Sequence, residues 1–202
     1  GHMGNFAFWL DSETGNFVSS SFYGPRLPKW VQKFNKKDFC EKYLSKKWEL
    51  LLNSKRYDES LVDNSAYEEA FDGEKYPKFP HDLPNLLEQN GKGLIKATPF
   101  GNTLVKDIAI AAIEGENLGK DNYTDLLAIS FSSTDYVGHQ FGTDSKEMQD
   151  TYLRLDRDLE IFLKYLDENI GNENILCFVT SDHGAVRTPA YLKDRKIPAG
   201  YF

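Results

Sequence analysis

Two stretches decide the fold. One is Asp125-Leu126-Leu127-Ala128-Ile129-Ser130-Phe131, followed at once by Ser132-Ser133-Thr134-Asp135-Tyr136-Val137-Gly138-His139. The other is Ile175-Leu176-Cys177-Phe178-Val179, followed by Thr180-Ser181-Asp182-His183-Gly184. Each apolar run is short and nearly continuous, as expected for a strand buried on both faces of a parallel sheet. Between them, Ser145 to Ile170 reads as a long amphipathic helix. Met148, Tyr152, Leu155, Leu159, Phe162, Leu163, Leu166 and Ile170 form its apolar stripe. Ser145 suits the N-cap and Gly171 the residue just past the C-terminus. Strand, long helix, strand is a βαβ unit with parallel strands and a right-handed crossover, so the fold class is α/β.

Parallel strands end on the same edge of their sheet, where open α/β sheets place their sites. Asp135, His139, Asp182 and His183 are therefore expected to converge on one rim. Carboxylate oxygen and neutral imidazole nitrogen are good zinc ligands. Two ligand pairs can serve two metals, and two ions about 3.5–4 Å apart suit in-line displacement at phosphorus. An isolated Asp-His dipeptide is most often a solvated loop. The same pairs at the ends of adjacent strands point to a metal or catalytic site.

Outward from this unit the chain is less informative. Asn5 to Leu10 and Phe17 to Ser21 flank a turn-rich loop and read as a hairpin. Pro28 opens a short helical stretch through Trp30, Val31 and Phe34, and a second covers roughly Lys37 to Leu44. Asn53 to Asn90 is polar, irregular and too long for an ordinary connection. It reads as an insertion or part of a lid. Thr98-Pro99 starts a helix, with Leu104, Ile108, Ala111 and Ala112 on one face and an end at Gly115 or Gly119. Residues 1–90 are thus a hairpin plus an insertion or lid-like region. Residues 91–202 are the βαβ core segment carrying the ligand motifs, the two together forming one fragmentary domain.

The formal net charge of the 202 residues is −7, with no basic stripe of the kind that binds nucleic acid. No apolar stretch has the length of a membrane span. The two cysteines show no zinc-thiolate spacing, and Cys177, inside its apolar run, is expected to be a buried free thiol. Gly1-His2-Met3 looks like a vector scar, and the abrupt start and end suggest an internal fragment. Thr98 is expected to cap the helix after it rather than act as a nucleophile. Ser132, Ser133 and Thr134 should satisfy the exposed strand end. His81, a lone loop histidine, reads as structural. Tyr136 either packs in the core or lines the site. Glu68, Glu69, Asp72 and Glu74 read as a solvated face.

Ser133 to Gly142, with the helix through Asp150-Thr151-Tyr152-Leu153-Arg154-Leu155-Asp156, resembles one signature of the alkaline phosphatase superfamily. Thr180-Ser181-Asp182-His183-Gly184 resembles its second. The branch is similar to the PafA-type bacterial alkaline phosphatases, close kin of the nucleotide pyrophosphatase/phosphodiesterases. Upstream, Phe8-Trp9-Leu10-Asp11, Leu27-Pro28-Lys29-Trp30-Val31 and Thr98-Pro99-Phe100-Gly101-Asn102 agree, so the resemblance covers nearly the whole chain.

The resemblance implies part of an alkaline-phosphatase-like sandwich, with helices on the faces of a parallel sheet. It implies two Zn2+ ions per complete site. Asp135 and His139 match two ligands of one, and Asp182 and His183 two ligands of the other. In the family an Asp ligand, the Thr or Ser nucleophile, and a Lys and an Arg that contact the phosphoryl group lie upstream. A third His ligand lies downstream. None of these has a counterpart here, so the chain itself is expected to be inactive, with partial or absent zinc. The parent is expected to hydrolyse small-molecule phosphate monoesters in the periplasm or outside the cell. The alternatives are a phosphodiesterase or nucleotide pyrophosphatase, a sulfatase (whose formylglycine precursor motif is not seen), or a non-catalytic subdomain.

Overall fold

The structure, a computed structural model, describes residues 3–200. The Gly1-His2 part of the suspected scar and the last two residues lie outside them. A two-stranded antiparallel hairpin opens the fold, β1 (Trp9–Leu10) against β2 (Phe17–Val18). Its ladder is shorter than the sequence suggests. The loop between the strands is closed by Asp11, whose carboxylate accepts from Thr14 N and Thr14 Oγ1. Seven α-helices follow: α1 (Lys29–Asn35), α2 (Phe39–Leu44), α3 (Leu83–Asn90), α4 (Pro99–Glu116), α5 (Ser133–Phe141), α6 (Lys146–Asn169) and α7 (Pro189–Asp194).

The main core joins both halves of the sequence. Phe17, Val31, Phe34, Cys40, Leu44, Trp48, Phe71 and Leu83 pack with Leu94, Leu104, Ile108, Val137, Phe141 and Met148. Helix α4 begins at Pro99, as expected. It runs through Gly115, however, where the missing side chain leaves room for the Trp30 indole, 2.3 Å from an added Cβ. Asn117, in the left-handed region at φ 55°, ends the helix instead.

Helix α6 is capped as the sequence predicts, Ser145 Oγ accepting from Met148 N at 3.1 Å. Met148, Phe162 and Leu166 are buried, while Tyr152 and Leu163 of the expected stripe are exposed. The buried face also holds Asp150 and Asp158, which distant residues satisfy. Asp158 accepts from Thr103 Oγ1 at 2.7 Å and pairs with Lys106 Nζ at 3.3 Å, joining α6 to α4. Asp150 accepts from Trp48 Nε1 and Leu51 N, both at 2.7 Å, from Arg154 Nε at 2.6 Å, and from the Tyr57 hydroxyl.

His81 is structural, and its surroundings explain why. It is fully buried among Trp48, Phe71, Phe79 and Phe141. Nδ1 faces Glu74 at 2.9 Å and Nε2 faces Glu147 at 3.2 Å. Burial alone would discharge the ring, but the two carboxylates outweigh it and raise its pKa to about 9. Glu74 is thereby drawn out of the solvated acidic face expected for it. Glu68 is half-buried and accepts from Ser65 N at 2.8 Å.

Two expectations need correcting. Asp125 to Phe131 and Ile175 to Val179 have no regular secondary structure: among the described residues they form no ladder, and the only sheet is β1–β2. A strand exists only when a neighbour takes its N–H and C=O groups, and among the described residues no backbone ladder joins either run to another segment. Each run does keep one foot on the helices, Ile129 and Ile175 packing on Ala109, Ile113, Phe162 and Leu166. Other apolar side chains of the runs point outward: Leu126 is 86% exposed, Leu176 90% and Phe178 75%. Cys177 is exposed for the same reason, contrary to the buried thiol expected there.

Candidate metal centre

The segment after the first run is helix α5, and this decides how the site is built. Asp135 and His139 are four residues apart, so one helical face carries both. Val137 and Phe141, on the opposite side, are buried and anchor that face outward. His139 Nε2 lies 3.3 Å from Asp135 Oδ2. The second segment arrives from the other run: His183 Nε2 lies 3.8 Å from Asp135 Oδ1 and 3.8 Å from Asp182 Oδ2. Asp135 thus stands between two imidazoles, those of His139 and His183, while Asp182 reaches the cluster only through its neighbour His183.

His183 is held by its own turn. Its Nδ1 faces the Gly184 carbonyl at 3.1 Å, and its N–H donates to Asp182 Oδ1 at 3.1 Å. The Ser181 hydroxyl donates to the His183 carbonyl. The Gly184 carbonyl first, then Asp182 and Asp135, raise the His183 pKa. The tautomer carrying its proton on Nδ1 leaves the Nε2 lone pair towards the cluster, the usual arrangement of a metal-ligating histidine.

Oxygen and imidazole donors of this kind fit a borderline ion such as zinc. Among the described residues, however, no three such donors are arranged to hold one ion. The site is open, with the side chains of His139 and Asp182 mostly exposed.

The other candidates fall elsewhere. Thr98 occupies the cap position of α4, but it is buried and its hydroxyl donates backwards to the Ile95 carbonyl at 2.8 Å rather than capping the helix. Ser132 Oγ bonds Ser130 Oγ at 2.8 Å, and Ser133 is buried. Thr134 Oγ1 accepts from Asn102 Nδ2 at 3.1 Å. Tyr136 lies on the outside of α5 with Lys96 Nζ 5.0 Å from its ring centre. Sequence reasoning passed over Asn102 and Lys96, although Asn102 closes the Thr98-Pro99-Phe100-Gly101-Asn102 stretch it had singled out.

Comparison with known proteins agrees over nearly the full chain. Residues 4–200 match the model of the type I phosphodiesterase / nucleotide pyrophosphatase family. A protein of Myroides odoratus named calcium-transporting ATPase is 50% identical over 204 residues, covering 100% of this chain and 37% of the relative. Alkaline phosphatase PafA of Elizabethkingia meningoseptica is 45% identical over 203 residues, with 100% and 37% covered. The crystal structure of wild-type alkaline phosphatase PafA superposes with a TM-score of 0.95 at 45% identity, covering 100% of this chain and 39% of that one. The chain thus spans little more than a third of the relatives' length. The superposition also supports an alkaline-phosphatase-like α/β architecture for the chain. With its family signature spread from residue 4 to residue 200, this chain belongs to the type I phosphodiesterase / nucleotide pyrophosphatase family.

Proposed function

We propose that this chain is the ligand-bearing part of a zinc-dependent phosphomonoesterase, with Asp135 and His139 serving one ion and Asp182 and His183 the other. The observation that carries this reading is the convergence on Asp135, its two oxygens turned towards imidazoles from two separate segments. Zinc, when bound, supplies concentrated positive charge for the oxygens of a phosphate ester. The chain's own residues orient the donors. Helix α5 holds Asp135 and His139 one turn apart, and the Gly184 carbonyl fixes the His183 ring. Two donors per ion are fewer than the three or four a zinc site ordinarily has, so occupancy in this chain alone is weak or partial. The Thr or Ser nucleophile implied by the resemblance is not found here, and Thr98, buried and turned to Ile95, does not replace it. The substrates are small phosphate esters, and the setting is periplasmic or extracellular.

The chain alone is expected to hydrolyse p-nitrophenyl phosphate no faster than a zinc-only blank. The complete protein is expected to hydrolyse it in a zinc-dependent manner, and faster than bis-p-nitrophenyl phosphate. Turnover by the chain alone would contradict the incomplete site. Full activity in Asp182→Ala of the complete protein would remove the ligand assignment. A preference for the diester would favour the second reading, a phosphodiesterase on the same metal core, which the description of the matching family supports.

A further inference from the structure

Helix α5 is only nine residues long, and no side chain caps its first turn: Ser132, at the cap position, makes no such bond. So short a helix has little stability of its own, and its position must come from what it packs on. Its inner residues Val137 and Phe141 hold the middle and the end. The beginning, where Asp135 sits, is held by a different element. A Cβ added at Gly101 would lie 2.0 Å from Ser133 Oγ and 2.8 Å from the Ile95 carbonyl, so the backbone of α4 approaches α5 as only glycine permits. One residue on, Asn102 is 1% exposed and donates through Nδ2 to Thr134 Oγ1 at 3.1 Å. Lys96, in the turn before α4, lies over the ring of Tyr136. These three contacts reach Ser133, Thr134 and Tyr136, on both sides of Asp135.

Asn102 is a poor choice for stability alone. Its Oδ1 is buried and finds no partner among the described residues. A buried amide with one end unmet costs about as much as one hydrogen bond returns, and an apolar side chain of similar volume would pack there without that cost. What the amide adds is direction, because its bond to Thr134 fixes the first turn of α5 along one line.

We propose that Asn102, seated by the close approach at Gly101, is a positioning residue that aims Asp135 and His139 at His183. This rests on reading those residues as metal ligands. Neither Asn102 nor Thr134 touches the ion or substrate; both act through the helix.

The test is hydrogen–deuterium exchange on the 202-residue chain, with and without millimolar zinc. In Asn102→Ala and Thr134→Val, exchange of the α5 amides from Tyr136 to Phe141 should rise about tenfold, the loss of roughly one net hydrogen bond. Exchange in α6 should not change. Thr134→Ser, which keeps the hydroxyl, should restore the original rates, an outcome that general loss of packing would not produce. Unchanged α5 exchange in both bond-deleting variants, or an equal rise across α4, α5 and α6, overturns the proposal. Zinc should slow exchange around Asp135 and His139 in the original chain and in Thr134→Ser, and less in the other two variants. Two donors per ion leave zinc binding by this chain weak, so the exchange pattern without zinc decides what Asn102 does, and Asp182→Ala in the complete protein decides the metal reading.

Discussion

Raising the pH should discharge His81, and the cost can be worked from its surroundings. The imidazolium lies in an aromatic box with Glu74 at 2.9 Å and Glu147 at 3.2 Å, and these carboxylates raise its pKa from 6.5 to about 9 against the opposing effect of burial. The folded chain therefore binds this proton more tightly than the unfolded chain does. The stabilisation is complete below the unfolded value and is lost as pH rises through the folded one. A shift of this size corresponds to about 3 kcal/mol, a large part of a typical folding free energy.

Two neighbouring effects bracket that window. Burial, with help from Glu147, raises Glu68 to about 7, so its effect falls at lower pH. Burial raises the Cys40 thiol to about 11 from 9.0, so its effect falls higher. Urea unfolding from pH 7 to pH 9 should show stability falling by up to about 1.4 kcal/mol per pH unit. The same series on His81→Gln should be nearly flat there, from a lower starting value. If the glutamine variant keeps the original slope, the charged imidazole is not what holds Glu74 and Glu147 together.

Asp150→Ala should cost about 3–5 kcal/mol in the same assay, because Trp48 Nε1 and the Tyr57 hydroxyl are left buried without an acceptor and Arg154 Nε loses its carboxylate. Asp150→Asn should cost less, since one acceptor oxygen remains; an equal loss in both variants would mean that packing dominates at this position. In the native state a thiol reagent should modify Cys177 rapidly and Cys40 only on unfolding, read as one thiol against two, because Cys40 is buried and its thiolate is disfavoured. Equal rates for the two would contradict the packing of α2.

The local features of this fold are legible in the sequence. Ser145 caps α6 through the bond its residue type suggests, and Pro99 starts α4. The DxxxH pair and His183 do lie near one another, although not on the sheet rim the sequence suggests. What the sequence hid depends on partners far along the chain. Helix α5 carries no clear helical signal because Ser132, Ser133, Thr134 and Gly138 are poor helix formers, and only the spacing of Val137 and Phe141 hints at a buried face. That same four-residue spacing in Asp135 and His139 was a helical signal that went unused. Asp150 and Asp158 look like the polar side of α6, since nothing nearby shows that Trp48, Leu51 or Lys106 will meet them. Pairing of the runs at 125–131 and 175–179 is a non-local matter that short apolar segments do not encode by themselves.

Those two runs also bear on how the chain behaves at high concentration. Each exposes a row of backbone donors and acceptors beside large apolar side chains such as Leu126, Leu176 and Phe178, the kind of edge that other copies can extend by pairing. The net charge of −7 keeps copies apart near neutral pH. That repulsion vanishes near pH 5.2, the isoelectric point, where self-association through these edges should be most pronounced. Colloidal solubility, rather than folding, then sets the lower pH limit at which the chain can be handled.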